Sequence, residues 1–173
     1  MATGDNQSIK VSDKETSEGH DVLFFIPVRI LVAMKLKQLN LDYNIDCRNL
    51  PTSWRLGIIY GHKPETGQVF CTVTLTRTDV GNGCLNVFVL ISYVNGEGCF
   101  IRFPRLIGSD QVFAGGKIEG FVEESRHPGY RSYIFSMGLL LRISMFVRYC
   151  HSGICHDKAH SSNEEKETHY SKM

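Results

Sequence analysis

Within eleven residues near the C-terminal end, Cys150, His151, Cys155, His156 and His160 offer the thiolates and imidazoles that zinc selects. They read Cys-x4-Cys-x4-His with an overlapping His-x3-His pair. A structural zinc ion needs four such ligands converging tetrahedrally, with one close pair joined by a second pair from elsewhere in the chain. This run leads instead into a polar tail. The expectation is therefore the end of a strand followed by a loose terminus, with no metal at Cys150, Cys155, His156 or His160 and no cofactor.

Other arrangements with chemical potential are weaker. Ala114-Gly115-Gly116-Lys117-Ile118-Glu119-Gly120 has the glycines of a phosphate loop but neither the Ser or Thr after Lys nor the spacing before Gly-Lys, so bulges or tight turns are expected. No serine sits in a Gly-x-Ser-x-Gly elbow, and His62 and His127 lie in turn-like sequence. Glu123 and Glu124 are adjacent, so a strand would send them to opposite faces, which does not suit an acid/base dyad. A non-enzymatic protein is expected.

The cations carry more. Arg29, Lys35 and Lys37 share one face of an apolar run, and Arg142 and Arg148 share one face of another. If those runs are neighbouring strands, the five form a single wall suited to lipid head groups or nucleocapsid RNA; otherwise they only solvate an outer face. Phe25 and Phe146 lie on the same faces.

Six strand-like runs must position these groups. The clearest is Leu139 to Tyr149, where Leu139, Leu141, Ile143, Met145, Val147 and Tyr149 alternate with Leu140, Arg142, Ser144, Phe146 and Arg148, the period of a strand with one face in a core. Residues 22–37 alternate similarly and are expected as one long strand, with Pro27 marking a sheet edge or a bulge. Residues 42–54 read as irregular or a short helical turn, and Leu56 to Tyr60 as a short strand. Between 69 and 103, Gly81-Asn82-Gly83 and Asn95-Gly96 separate three alternating runs, which predicts a three-stranded antiparallel meander. The segment 112–122 is ambiguous.

With 173 residues and 42% apolar content, one domain can bury a core without staples. Residues 22–152 carry 14 Lys+Arg against 9 Asp+Glu, a basic body between mildly acidic ends that fits an anionic partner. Residues 1–20 and 153–173 are polar and expected to be disordered, leaving 21–152 as the globular domain. The first twenty residues lack a secretory signal, and no apolar run is long enough to span a bilayer, so a cytosolic chain with reduced cysteines is expected.

Three segments resemble the matrix protein of rhabdoviruses, in the compact form of plant-infecting cytorhabdoviruses. Phe24-Phe25-Ile26-Pro27-Val28-Arg29-Ile30-Leu31-Val32 is similar to that family's Phe-rich opening strand. Ser53-Trp54-Arg55-Leu56-Gly57-Ile58-Ile59-Tyr60-Gly61, preceded by Tyr43 and Asp46, is similar to its Trp and Tyr-Ile-Gly region. Phe135-Ser136-Met137-Gly138-Leu139 through Met145-Phe146-Val147 is similar to its Phe-x-x-Gly run into a closing strand. The Pro-Pro-x-Tyr motif of animal-infecting members is absent here.

The resemblance implies an α+β, β-dominated domain, with a twisted antiparallel sheet, a central meander and few short helices. It further implies a structural protein that self-associates and bridges the viral ribonucleoprotein to an anionic membrane or envelope glycoprotein tail during assembly and budding. Such a protein resides in the virion and, peripherally, at membranes of the host cytoplasm. The contact residues would be Arg29, Lys35, Lys37, Arg142 and Arg148. The alternatives are an RNA-binding viral accessory protein, such as a silencing suppressor, and a β-barrel enclosing a small apolar ligand.

Overall fold

The computed structural model describes residues 8–28, 30, 38–63, 68–124 and 139–151. Nine strands run in chain order: β1 Lys10–Glu15, β2 Gly19–Pro27, β3 Gln38–Ile45, β4 Thr52–Lys63, β5 Gln68–Arg77, β6 Leu85–Val94, β7 Phe100–Val112, β8 Lys117–Glu124 and β9 Leu140–Arg148. They form two antiparallel sheets, one ordered β1-β2-β9-β6-β7 and the other β3-β4-β5-β8. One core lies between them. The five-stranded sheet contributes Val22, Phe24, Ile26, Val87, Val89, Ile91, Leu141, Ile143, Met145 and Val147. The four-stranded sheet answers with Leu39, Ile45, Trp54, Leu56, Ile58, Tyr60, Cys71, Val73 and Leu75. Along the inner strands every second residue faces inward, so period-two patterning becomes a two-layer sandwich.

The fold is therefore β-dominated and antiparallel, as expected, but it differs from the sequence reading in several places. Helical backbone occurs among the described residues only at Val28 and Ile30, so the α+β description has little helix behind it. Of the strand expected over 22–37, β2 ends at Pro27, Val28 and Ile30 have helical backbone, residues 29 and 31–37 lie outside the described residues, and β3 begins at Gln38 on the other sheet. Pro27, with no N–H to donate, occupies the last rung of β2 against Leu140, beyond the Lys10↔Phe25 rung where β1 begins. The expected meander fails at its first turn. Asn95-Gly96 does close the β6–β7 hairpin, with the Asn95 side chain accepting from the N–H groups of Glu97 and Cys99. However, β5 pairs with β4 and β8, so the true meander is β3-β4-β5.

What carries the chain from one sheet to the other after β5 is Arg77. Its side chain is 0% exposed, yet it lies on the core side of the sheet. The guanidinium grips Asp79 in a bidentate pair at 2.9 and 2.8 Å and donates to the carbonyls of Val112, Gly81 and Gly83. The loop 78–84 therefore wraps around one cation instead of making a hairpin. The glycine-rich segment that looks like a phosphate loop docks on the same residue as a turn: Gly115 N–H donates to the Arg77 carbonyl, and Arg77 N–H donates to the Gly116 carbonyl. Gly115 has φ 76°, the left-handed conformation that favours glycine.

Asp79 supplies a pH prediction. Burial would raise its pKa, but Arg77 and the N–H groups of Ser53 and Gly81 hold it below the usual carboxylate value. A depressed folded-state pKa contributes stability above the unfolded value and loses it as pH falls through the folded one. The stability advantage of the native chain over Asp79→Asn is expected to stay constant from neutral pH down to about pH 4 and to shrink below it, as measured by urea unfolding across that range.

The segment expected as a disordered leader holds β1. All six of its residues are exposed, and its pairing with β2 runs from Lys10↔Phe25 to Glu15↔His20. A polar edge strand needs only backbone hydrogen bonds on one side, which hydropathy does not report. Residues 153–173 lie outside the described residues. Cys47, Cys71, Cys99 and Cys150 are free thiols, whereas Cys84 is disulfide-bonded, against the expectation that all cysteines are reduced.

Candidate metal centre and cationic face

At one end of the sandwich, four side chains from three distant segments converge. His20 comes from the inward face of β2, Cys47 from the bend after β3, and Cys150 and His151 from the turn after β9. Each offers one donor atom, and all four donors lie within 4.8 Å of one another. His20, Cys47 and Cys150 are buried and His151 half-buried. The His20 and His151 rings stand edge-to-face with centroids 5.4 Å apart.

Each ligand is held by local structure. The His20 Nδ1 is 3.0 Å from the Asp13 carboxylate, which also accepts from the Tyr43 hydroxyl at 3.2 Å. Nε2 of His20 is buried without a hydrogen-bond partner, as is Nε2 of His151, which sees only the Glu15 carboxylate at 3.5 Å. Burial works against the Cys47 thiolate, but the N–H groups of Leu50 and Asn49, together with His20 and Cys150, outweigh it and lower that thiol's pKa. Burial pushes the Cys150 thiol up to about 12, and the neighbouring Cys47 adds to this. Asn49 donates its side-chain amide to the His151 carbonyl, fastening the two loops together. The last turn is entered through Tyr149, the only non-glycine residue with positive φ (68°) among the described residues.

Of the local run singled out in the sequence, Cys150 and His151 take part. Cys155, His156 and His160 lie outside the described residues. His20 and Cys47 carry no motif linking them to Cys150. The one local signal was Cys47-Arg48-Asn49-Leu50, whose backbone amides turn toward the thiol.

Of the five expected contact cations, Arg29, Lys35 and Lys37 lie outside the described residues. Arg142 and Arg148 both sit on the outward face of β9, as expected, but their surroundings differ. Arg148 is engaged by acids, with Asp21 at 2.7 Å and Glu18 at 3.8 Å. Arg142 is held by aromatic rings, its guanidinium carbon 5.8 Å from the Phe25 centroid and 5.2 Å from that of Phe100. Rung by rung, the same outer face carries Lys10 beside Phe25, Lys14 beside Asp21, Phe88 beside Phe146 and Leu90 beside Leu106. Phe88, Phe100 and Leu106 are 41%, 46% and 58% exposed.

The opposite wall, on the outside of the four-stranded sheet, is polar and rich in threonine: Thr72, Thr74 and Thr76 stand beside Phe121, Glu119 and Lys117. Among the described residues, no helix is long and apolar enough to cross a membrane. No protein-family model matches the chain, and no curated protein matches it in sequence.

Proposed function

We propose that the protein is a non-enzymatic structural module of the viral matrix kind, whose docking face is the outer wall of the five-stranded sheet. The observation that carries this reading is the coexistence on one wall of exposed bulky apolar groups (Phe88, Phe100, Leu106) with Lys10, Lys14 and an arginine held by rings. Asp21 is the acid that the described pairing places on this wall, and Arg148 neutralises it. Side chains of this mixture enter the head-group region of an anionic bilayer: the apolar groups go below the phosphates and the cations remain among them. Matrix function adds self-association and a nucleocapsid contact, so individually weak interactions combine through multivalency.

Arg142 between Phe25 and Phe100 also favours a second reading, single-stranded RNA, because bases stack on aromatic faces and arginine contacts phosphate. Vesicle flotation beside an RNA gel shift separates the two. Each cation near an anionic surface contributes about 1 kcal/mol. The doubly reversed Lys10→Glu/Lys14→Glu chain should therefore bind phosphatidylserine vesicles at least about 30-fold more weakly, and Phe88→Ser/Leu106→Ser should weaken binding further. Vesicle binding that ignores all four changes would remove the membrane reading. Tight RNA binding by a monomer indifferent to vesicles would replace it with the accessory-protein reading.

A further inference from the structure

We infer that His20, Cys47, Cys150 and His151 form a structural zinc site, with Asp13 orienting His20 from behind. The inference is independent of the docking-face reading. Zinc–sulfur bonds near 2.3 Å and zinc–nitrogen bonds near 2.0 Å place the donors of a tetrahedral site roughly 3.3 to 3.8 Å apart. The four donors here already lie within 4.8 Å of one another. Closing on an ion therefore asks each side chain for a shift of about an ångström or less.

Three further features point to a cation. The first is the two imidazole Nε2 atoms: that of His20 is buried with no hydrogen-bond partner, which is rare in folded proteins, and that of His151 has only the Glu15 carboxylate at 3.5 Å. The second is the Asp13 carboxylate on His20 Nδ1, which fixes the proton there and leaves the Nε2 lone pair free, the arrangement usual behind zinc-bound histidines. Tyr43 in turn donates to that carboxylate, so the orienting group is itself held. The third is the thiol pair. Cys47 and Cys150 are both buried, neither is in a disulfide, and their sulfurs lie within 4.8 Å of each other and of the two imidazoles, which puts two soft donors at one place.

Donor chemistry selects the metal. Two thiolates and two imidazoles suit zinc over magnesium or calcium, which take oxygen ligands. Four protein ligands leave no open position, so the ion is structural. Its place in the fold says what it does: it ties β2 and the end of β9, on one sheet, to the bend after β3, on the other.

The test measures metal in the full-length chain, produced with zinc supplied and purified without chelator or histidine tag. One zinc per chain is expected, together with thiolate-to-metal charge-transfer absorption when cobalt(II) replaces it. Asp13→Asn leaves all four ligands in place and should weaken zinc 10- to 100-fold in competition with a chromophoric chelator. Cys155→Ser/His156→Gln/His160→Gln should keep the full equivalent, whereas Cys47→Ser should lose it. If Cys47→Ser fails to fold, the wild-type chain still decides the matter, because Cys47 and Cys150 should resist alkylation until a chelator is added. Three outcomes would overturn the site: a metal-free chain with freely alkylated Cys47 and Cys150, a Cys47–Cys150 disulfide in the purified protein, or zinc that depends on Cys155, His156 and His160 while ignoring Asp13.

Discussion

Replacing Arg77 by leucine is expected to destabilise the protein by about 3–5 kcal/mol, the cost of breaking a buried ion pair by removing one partner. For a chain of this size that corresponds to a melting temperature lower by roughly 6–20 °C. Leucine is apolar and of moderate size, so the loss is not chiefly one of packing. The Asp79 carboxylate would be left without its bidentate partner, and the carbonyls of Val112, Gly81 and Gly83 would lose a donor where little water reaches them. The contrast is Arg55, which pairs with Asp42 at 2.7 Å, but with side chains 57% and 69% exposed. That pair is solvated and screened, so Arg55→Ala should leave the thermal transition where it is. Equal melting temperatures for the native chain and Arg77→Leu would mean that the clasp around the 78–84 loop does not hold the two sheets in register.

Gly120→Val is expected to cost about 3 kcal/mol or more, at the upper end of the overpacking range. Gly120 stands in β8 opposite Val73, at the seam where the four-stranded sheet meets β7 of the other sheet. A Cβ at this position would overlap the carbonyl oxygen of Ile107 and come within 2.6 Å of the Ile107 Cβ. The obstacle is backbone, so rotamer changes cannot relieve it, and either β7 or β8 must move. The same seam has a reciprocal contact, since a Cβ on Gly108 would strike the Ile118 side chain. Gly57 gives the opposite expectation. Its nearest obstacle is the Asn40 side-chain oxygen at 3.3 Å, which can swing away. Gly57→Ala should therefore be neutral or stabilise by about 0.4–1 kcal/mol, because alanine restricts the unfolded chain. Chemical denaturation of the two variants side by side tests both signs, and a Gly120→Val chain as stable as the native one would rule out the close approach.

The strands were legible where alternation was long. Of the run Leu139 to Tyr149, Leu140 to Arg148 form β9, legible because one face is buried along its whole length and the other is not, whereas Tyr149, expected on the inner face, is exposed with φ 68°. The run from Val22 was read correctly as far as Pro27; the alternation continues in sequence, but Val28 already has helical backbone. β4 proved longer than Leu56 to Tyr60 because Thr52 and Trp54 are also buried, linked by the Trp54 indole donating to the Thr52 hydroxyl at 2.8 Å. β1 escaped notice because none of its residues enters the core, and with it went Lys10 and Lys14, which belong to the cationic wall.

By itself, the sequence determined that most of β2, β5, β6 and β9 is extended and which side of each is buried, and it supplied thiols and imidazoles. Those properties are local: side-chain direction alternates along any strand, whatever its neighbour, and ligand chemistry belongs to the residue. Only the tertiary structure decided that β5 leaves the β6–β7 hairpin for the other sheet, and that His20 and Cys47 meet Cys150 and His151. Pairing and convergence are settled by which burial and hydrogen-bond arrangement of the whole chain is lowest in free energy, and residues separated by 103 positions, as Cys47 and Cys150 are, leave no trace of that in their spacing.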